Sequence, residues 1–150
     1  MEHTEEELKR FIDACGVARR IVETMPELPK GIKPRHIHVI DAIVLTRQKK
    51  EKVLVSDVSR HLNVTMPSVT RLVSELEEKG VLEKSPDPED GRNVLLKLTS
   101  LGEKYYQHYV REYYQELGRR LEGISCEELL TTVRTIQSAY QSIRKEKVFP

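Results

Sequence analysis

The chain has 150 residues, enough for one ordinary domain that buries a single core without disulfides or a structural metal. Its 33% charged and 38% hydrophobic residues argue against disorder of the whole chain, and a net charge of +1 does not by itself predict nucleic-acid binding. No apolar run of about 18 residues and no basic-then-apolar start is present, so we expect no membrane contact and a cytoplasmic location.

Two helices are predicted in the first third of the chain. From about Thr4 to Met25, apolar residues recur at alternating steps of three and four, a heptad-like stripe typical of a helix that pairs with another helix. This stripe consists of Leu8, Phe11, Cys15, Ala18, Val22 and Met25. After a stretch rich in proline, a more deeply buried helix is predicted from about Arg35 to Arg47.

The middle of the chain predicts two short helices joined by a tight turn. Ser56 is a candidate N-cap for the first helix, "DVSRHL", and Asn63 suits a left-handed conformation in the turn. Thr65 is the candidate N-cap of the second helix, which Gly80 is expected to end. One face of that second helix carries Val69, Leu72, Val73 and Leu76.

A β-hairpin and two further helices complete the chain. The segments "VLEKS" and "NVLLKL" predict strands, and "PDPEDGR" between them is rich in turn-forming residues. Thr99 is the candidate N-cap of a long helix from about Ser100 to Leu121, and Ser125 with Glu128 forms a capping box for the last helix. That helix carries a second apolar stripe at Leu129, Val133, Ile136, Tyr140 and Ile143.

This order of elements predicts a mainly α fold with a small β-hairpin wing, the winged helix-turn-helix, whose second motif helix enters the major groove of duplex DNA. We expect a single domain over residues 1–150. Residues 36–98 would form its DNA-binding part, and helices at 4–25 and 100–145 its dimerisation part.

The outward face of the second motif helix is a candidate groove-reading surface. Opposite the apolar face, the helical wheel places Pro67, Ser68, Thr70, Arg71 and Ser74. Short hydroxyl side chains allow close approach to base edges, and arginine can pair with guanine through two hydrogen bonds. On composition alone, an ordinary solvated helix face is the alternative.

The stretch from about Val53 to Tyr105 resembles the MarR family of winged-helix regulators. The most specific part is "DGRNVLLKLTSLG", which is similar to the family's wing signature of D-x-R, an apolar strand and L-T-x-x-G. The resemblance implies that the helix opened by Thr65 reads the major groove. It also implies that Arg92 reaches the adjacent minor groove while Asp90 holds the wing conformation. A local salt bridge between Asp90 and Arg92 is the alternative.

The resemblance further implies a transcriptional regulator that binds a pseudo-palindromic operator in double-stranded DNA as a homodimer, a repressor released by a small-molecule effector or an oxidative signal. The alternative is a winged helix used for protein–protein assembly without specific DNA readout. Phosphate contacts are expected from basic residues that are equally often simple surface charges: Lys49, Lys50, Lys52, Arg60 and Lys84.

Other candidate sites are weaker. Peroxide-sensing members of the family carry a reactive thiol on the first helix, but the place of Cys15 in the apolar stripe favours simple packing. Two cysteines fit no zinc site, and His36 and His38 point to different helix faces, so we expect no metal and no cofactor. Tyrosines between residues 105 and 114 would line an effector pocket or pack at an interface. No catalytic constellation is recognisable, and we expect no enzyme.

Overall fold

The structure, a computed structural model, describes residues 2–144, which fall into two compact units that divide between Tyr113 and Tyr114. The first unit contains the helices α1 (Glu5–Val22), α2 (Pro34–Arg47), α3 (Val55–Leu62), α4 (Met66–Glu78) and α5 (Ser100–Tyr106), the strands β1 (Leu82–Pro86) and β2 (Val94–Leu98), and a π-helical segment (Gln107–Glu112). After these come α6 (Tyr113–Arg120) and α7 (Cys126–Ile143). The predicted fold class, mainly α with a β-hairpin, is confirmed.

Helix α2 lies at the centre of the first unit. It contacts α3, α4, α5 and β2, and its residues Val39, Ile40 and Ala42 are completely buried. Pro34 starts the helix, where its missing N–H leaves no hydrogen bond unmade. The deep burial predicted for this helix is therefore confirmed, although Leu45 is only half-buried.

The turn between α3 and α4 has the predicted conformation. Asn63 has φ 53° and ψ 46°, the left-handed region that asparagine tolerates better than most residues. The Thr65 hydroxyl accepts a hydrogen bond from the Ser68 N–H and caps α4. The four apolar residues predicted to share one face of α4 are all buried: Val69, Leu72, Val73 and Leu76.

The predicted N-cap of α3 was wrong. The helix begins one residue before Ser56, and the capping position is Leu54, whose N–H donates to the Asp57 carboxylate at 2.8 Å. A carboxylate three residues into a helix can satisfy the capping N–H from inside the first turn, so no side chain is needed at the cap itself.

The wing is an antiparallel pair in which Leu82 faces Leu98 and Pro86 faces Val94. Its second strand is also held from the other side, because the Leu96 N–H donates to the Val53 carbonyl at 2.8 Å. Helix α5 begins close against the base of the wing. A Cβ atom on Gly102 would collide with the Val81 carbonyl oxygen, so glycine permits this approach.

Two helix predictions need adjustment. Helix α1 ends at Val22, three residues before the predicted end at Met25. The long helix predicted from Ser100 to Leu121 contains a π-helical segment, which periodicity did not indicate. The capping box of Ser125 and Glu128 is present at the start of α7.

Parts of the domain prediction reach residues 1 and 145–150, which lie outside the described residues. The single domain over 1–150 and the helical part ending at residue 145 stay predictions. Among residues 2–144, no helix is both long enough and apolar enough to cross a membrane.

Candidate nucleic-acid interface

Burial of one face of α4 against the core fixes which side chains its other face presents. Pro67, Ser68, Thr70 and Arg71 are exposed, as the helical wheel indicated, and the Arg71 side chain is 69% exposed. The capping Thr65 is exposed as well. Ser74 is half-buried, and its hydroxyl lies 3.2 Å from Lys84 Nζ. The predicted surface is therefore accessible over its first turn and a half, and partly covered at Ser74.

The wing tip is organised by Asp90. Its carboxylate accepts hydrogen bonds from the Arg92 N–H and the Arg92 Nε, each at 3.1 Å. These contacts with Arg92 lower the pKa of Asp90. The local salt bridge considered from the sequence is present, yet 90% of the Arg92 side chain is exposed. The pair thus fixes the base of the arginine without covering its guanidinium.

The start of α4 and the wing border one cavity of about 150 Å³. Met66 and Thr70 line it from α4, while Arg92 and Val94 line it from the wing. Thr70 and Arg92, which the sequence predicted to contact different grooves of DNA, therefore border the same cavity.

Most of the candidate phosphate-binding cations have an acidic partner in the structure. Asp57 pairs with Lys50 at 3.1 Å and with Arg60 at 2.6 Å, and Lys84 lies 3.5 Å from Glu77. Lys52 forms 3.0 Å ion pairs with Asp87 and Glu89. Lys49 is exposed and has no ion-pair partner among residues 2–144.

Two buried carboxylates that the sequence analysis missed hold this surface together. Asp57 joins the first turn of α3 to Lys50 and Arg60. Asp87 accepts hydrogen bonds from Lys52 and from the Glu89 N–H, both at 3.0 Å. For Asp57, its position three residues into a helix was a usable signal. For Asp87, the partner lies 35 residues away, and no local pattern indicates it.

The remaining candidates have different surroundings from those expected. Cys15 is exposed in the single chain, so its predicted packing in a core is not observed there. Tyr105, Tyr106 and Tyr109 pack against the core, and the rings of Tyr105 and Tyr109 meet edge to face at 5.7 Å. Across residues 2–144, no group of three or more His, Cys, Asp or Glu side chains could hold a metal ion.

A two-helix motif with a tight turn, followed directly by a hairpin wing, defines a winged helix-turn-helix protein. Residues 30–93 match the model of the MarR family. The resemblance to the MarR family of transcriptional regulators, which the sequence indicated, is thereby confirmed for the winged-helix part of the chain. This family is not enzymatic, in agreement with the prediction.

Relatives that the chain matches in sequence include bacterial regulators. The chain is 32% identical over 73 residues to the uncharacterized HTH-type transcriptional regulator YdgJ of Bacillus subtilis, covering 49% of this chain and 44% of the relative. It is 35% identical over 84 residues to the multiple antibiotic resistance protein MarR of Escherichia coli, covering 51% and 58%. The chain thus spans about half the length of these relatives.

Solved structures share the fold over nearly the whole chain. FabT of Streptococcus pneumoniae, solved in complex with DNA, aligns with a TM-score of 0.66 at 23% identity, covering 95% of this chain and 99% of that one. MepR of S. aureus, solved as a DNA complex, aligns with a TM-score of 0.61 at 20% identity over 95% and 99%.

The Asp57 network generates a prediction about pH. Burial acts to raise the pKa of Asp57, but hydrogen bonds from the Leu54 N–H and Lys50 and the charge of Arg60 outweigh it and lower the pKa below 3.8. Because folding lowers the pKa of Asp57, its ionised carboxylate stabilises the fold fully at any pH above its pKa in the unfolded chain. This stabilisation is lost as the pH falls through its pKa in the folded protein.

Asp57→Asn should therefore reduce the free energy of unfolding at neutral pH by about 1 to 3 kcal/mol, since a charged acceptor is replaced by a neutral one. The gap in unfolding free energy to the wild type should narrow as the pH falls below about 4, the ordinary pKa of an aspartate, because the folded-state pKa lies below that value. Denaturant titrations at several pH values measure both quantities. Asp13→Asn removes one exposed carboxylate and controls for the change in net charge. A gap that stays constant with pH would contradict the assigned network.

Proposed function

We propose that the protein is a transcriptional regulator that binds duplex DNA sequence-specifically as a homodimer. The observation that carries the proposal is the common cavity of α4 and the wing, with Thr70 on one side and Arg92 on the other. In this arrangement, one compact unit presents a reading helix to the major groove and an arginine to the neighbouring minor groove.

The chemistry of the α4 surface fits base readout. Its exposed side chains are short and hydroxylated at Ser68 and Thr70, so the helix backbone can come close to the base edges. Arg71 supplies a guanidinium that can pair with guanine O6 and N7. FabT and MepR, which share this fold, were solved in complex with DNA, and this supports DNA as the partner here.

A winged helix that serves protein–protein assembly is the competing function. Such a role favours bulky apolar groups on the outward face of α4, because apolar burial provides most of the affinity in protein interfaces. The exposed apolar side chain at the start of α4 is Met66, at 45% exposure, beside a proline and polar groups. This composition favours DNA over a protein partner.

Selection of bound sequences from random duplexes tests the proposal directly. A regulator of this class should enrich a pseudo-palindrome, whereas an assembly module should enrich no defined sequence. Binding to bulk duplex DNA at low and raised salt gives the non-specific reference against which the enriched site is compared.

The DNA-binding prediction concerns Arg71 and Arg92. Arg71→Ala should relax base preference at one position in each half-site, at a cost of about 1 to 3 kcal/mol for a bidentate contact. Arg92→Ala should weaken binding and reduce the slope of log K against log salt by about one unit if it neutralises a phosphate charge. Fluorescence anisotropy over a salt series measures both effects.

The matched control for these variants is Arg111→Ala, which removes one exposed arginine from the π-helical segment. It should change neither base preference nor salt slope by a comparable amount. If Arg71→Ala keeps the base preference of the wild type, Arg71 does not read a base. If Arg92→Ala keeps the salt slope of the wild type, the wing does not contact the DNA backbone.

The homodimer is proposed from two unpartnered apolar stripes. On α1, Leu8 and Val22 of the predicted stripe are each more than half exposed. On α7, the stripe predicted from the sequence is exposed in the single chain at all five positions: Leu129, Val133, Ile136, Tyr140 and Ile143. Pairing with a second copy would bury both stripes and present two reading helices to one operator.

Replacing Val133 and Ile136 together with Asp should dissociate the dimer, since buried unpaired carboxylates would face the partner. For the wild-type dimer, the centres of the two half-sites should lie roughly 10 base pairs apart. The affinity of the double variant for a full site should fall to its affinity for a half-site. Analytical ultracentrifugation and operator titration measure these outcomes. Thr131→Asp with Ser138→Asp places the same charges on the other side of α7 and should leave the dimer intact. A monomeric wild type at micromolar concentration would contradict the proposal.

The proposed mode of action is repression that is relieved by a small-molecule effector or by an oxidative signal. Peroxide treatment of the wild type and of a Cys15 variant distinguishes the two signals. The thiol is exposed in the single chain but lies on the stripe that the dimer would cover. We therefore expect mild peroxide to leave DNA affinity unchanged in the wild type and in Cys15→Ser. Release of the wild type alone would instead identify an oxidative switch.

A further inference from the structure

A buried histidine of α2 contacts the reading helix at a point that the sequence analysis did not identify. His36 is 1% exposed, and its Nε2 lies 2.6 Å from Glu75 Oε2. The two residues are 39 positions apart in the chain. This contact ties α4 to the central helix of the fold at the turn that follows Arg71.

The hydrogen bonds of the imidazole define its protonation. The Lys33 N–H donates to His36 Nδ1 at 2.9 Å, so Nδ1 must carry a lone pair rather than a proton. A neutral imidazole then has its proton on Nε2, which donates it to Glu75. Both ring nitrogens are satisfied, and one carboxylate oxygen of Glu75 is held in place from inside the protein.

The other carboxylate oxygen faces the reading surface. Glu75 Oε1 lies 3.8 Å from Arg71 Nε, one helical turn away on α4. The contact is with the Nε side of the guanidinium. The two terminal nitrogens, which supply the bidentate pairing with guanine, are therefore left for DNA.

We propose that Glu75, held by His36, is a positioning residue for Arg71 and thereby sets how strongly the protein discriminates the base that Arg71 reads. The inference rests on the proposed DNA-binding function. A side chain as long as arginine loses rotamer freedom when it binds, and a fixed carboxylate at its Nε restricts that freedom beforehand.

The ionisation of Glu75 suits this role. The hydrogen bond from His36 lowers the pKa of Glu75, burial opposes it, and the charges of Arg71 and Lys33 lower it further. Glu75 is therefore charged at neutral pH. The charge faces an arginine on the exposed side, while the hydrogen bond on the buried side keeps the carboxylate from turning away.

A purely structural role for Glu75 is the competing interpretation, in which it only satisfies the buried imidazole. Glu75→Gln separates the two roles, because the amide oxygen can still accept the hydrogen bond from His36 while the charge that faces Arg71 is lost. Glu78→Gln is the matched control: it lies on the same helix, is exposed and changes the net charge equally.

The measurement is a ratio of affinities for two duplexes. One carries the sequence enriched by selection, and the other has the base pair changed at the position where Arg71→Ala loses preference. Glu75→Gln should reduce this ratio about two- to fivefold, the range expected for a partly exposed ion pair. Glu78→Gln should leave the ratio unchanged, even if both variants bind all DNA more tightly because a negative charge is gone.

A double-mutant cycle tests whether Glu75 acts through Arg71. In the Arg71→Ala background, Glu75→Gln should have no further effect on the ratio. An equal loss of affinity for both duplexes, or the same effect on the ratio without Arg71, would overturn the inference. If Arg71→Ala itself keeps the full preference while a defined site is still selected, the inference fails and the proposed function stands. If no sequence is selected at all, the proposed function fails as well.

A second measurement needs no substitution at Glu75. In the free wild-type protein, the Arg71 Nε–H should show a higher heteronuclear NOE than that of the exposed Arg111. Equal values would mean that Arg71 is no more restricted than an ordinary surface arginine, which would overturn the inference even if Glu75→Gln failed to fold. Thermal denaturation of Glu75→Gln shows directly whether it folds.

Discussion

The interface depends on the packing of α4 against α2. Val69, Val73 and Leu76 are at most 1% exposed, and burial of each such side chain stabilises the fold by roughly 1.5 to 3 kcal/mol. Rotating α4 by one residue, about 100°, would forfeit several of these contributions. A single base contact is worth about 1 to 3 kcal/mol, so DNA cannot reorient the helix. The core therefore decides which side chains are available to read a sequence.

The charges around α4 and the wing show why the net charge of the chain is a poor guide to its partner. Lys50, Arg60 and Lys52 are each paired with Asp57 or Asp87 in the free protein. The cationic side chains are themselves 35% to 73% exposed, so a phosphate can approach them from solvent while the buried carboxylates keep their partners. The pairs hold the basic side chains near the surface on which DNA would lie, while the molecule as a whole stays almost neutral.

Local patterns in the sequence predicted most of the fold. Asn63 in the turn, Thr65 at the cap and the wing strands all follow from residues within a few positions of each other. Two of the missed contacts share a physical cause. His36 contacts Glu75, and Lys52 contacts Asp87, across more than 30 residues of sequence. Only the folding of the chain brings these partners together. The sequence therefore predicted which side chains of the candidate site are exposed. It did not predict the long-range contacts that hold those side chains in place.

The apolar stripes show a second boundary of prediction from sequence. The periodicity of α2 and that of α7 both indicated an apolar helix face, yet in the single chain Ile40 of α2 is fully buried while Ile136 of α7 is 43% exposed. The hydrophobic effect depends on the apolar area removed from water and not on the identity of the partner. The spacing of apolar residues therefore predicts that a helix face is buried, but not which element buries it. For α2 the cover is provided by α3, α4, α5 and β2, which the same chain supplies. The stripe on α7 is also apolar, but in the single chain it is exposed to solvent. A second copy of the chain carries an identical stripe that can pack against it.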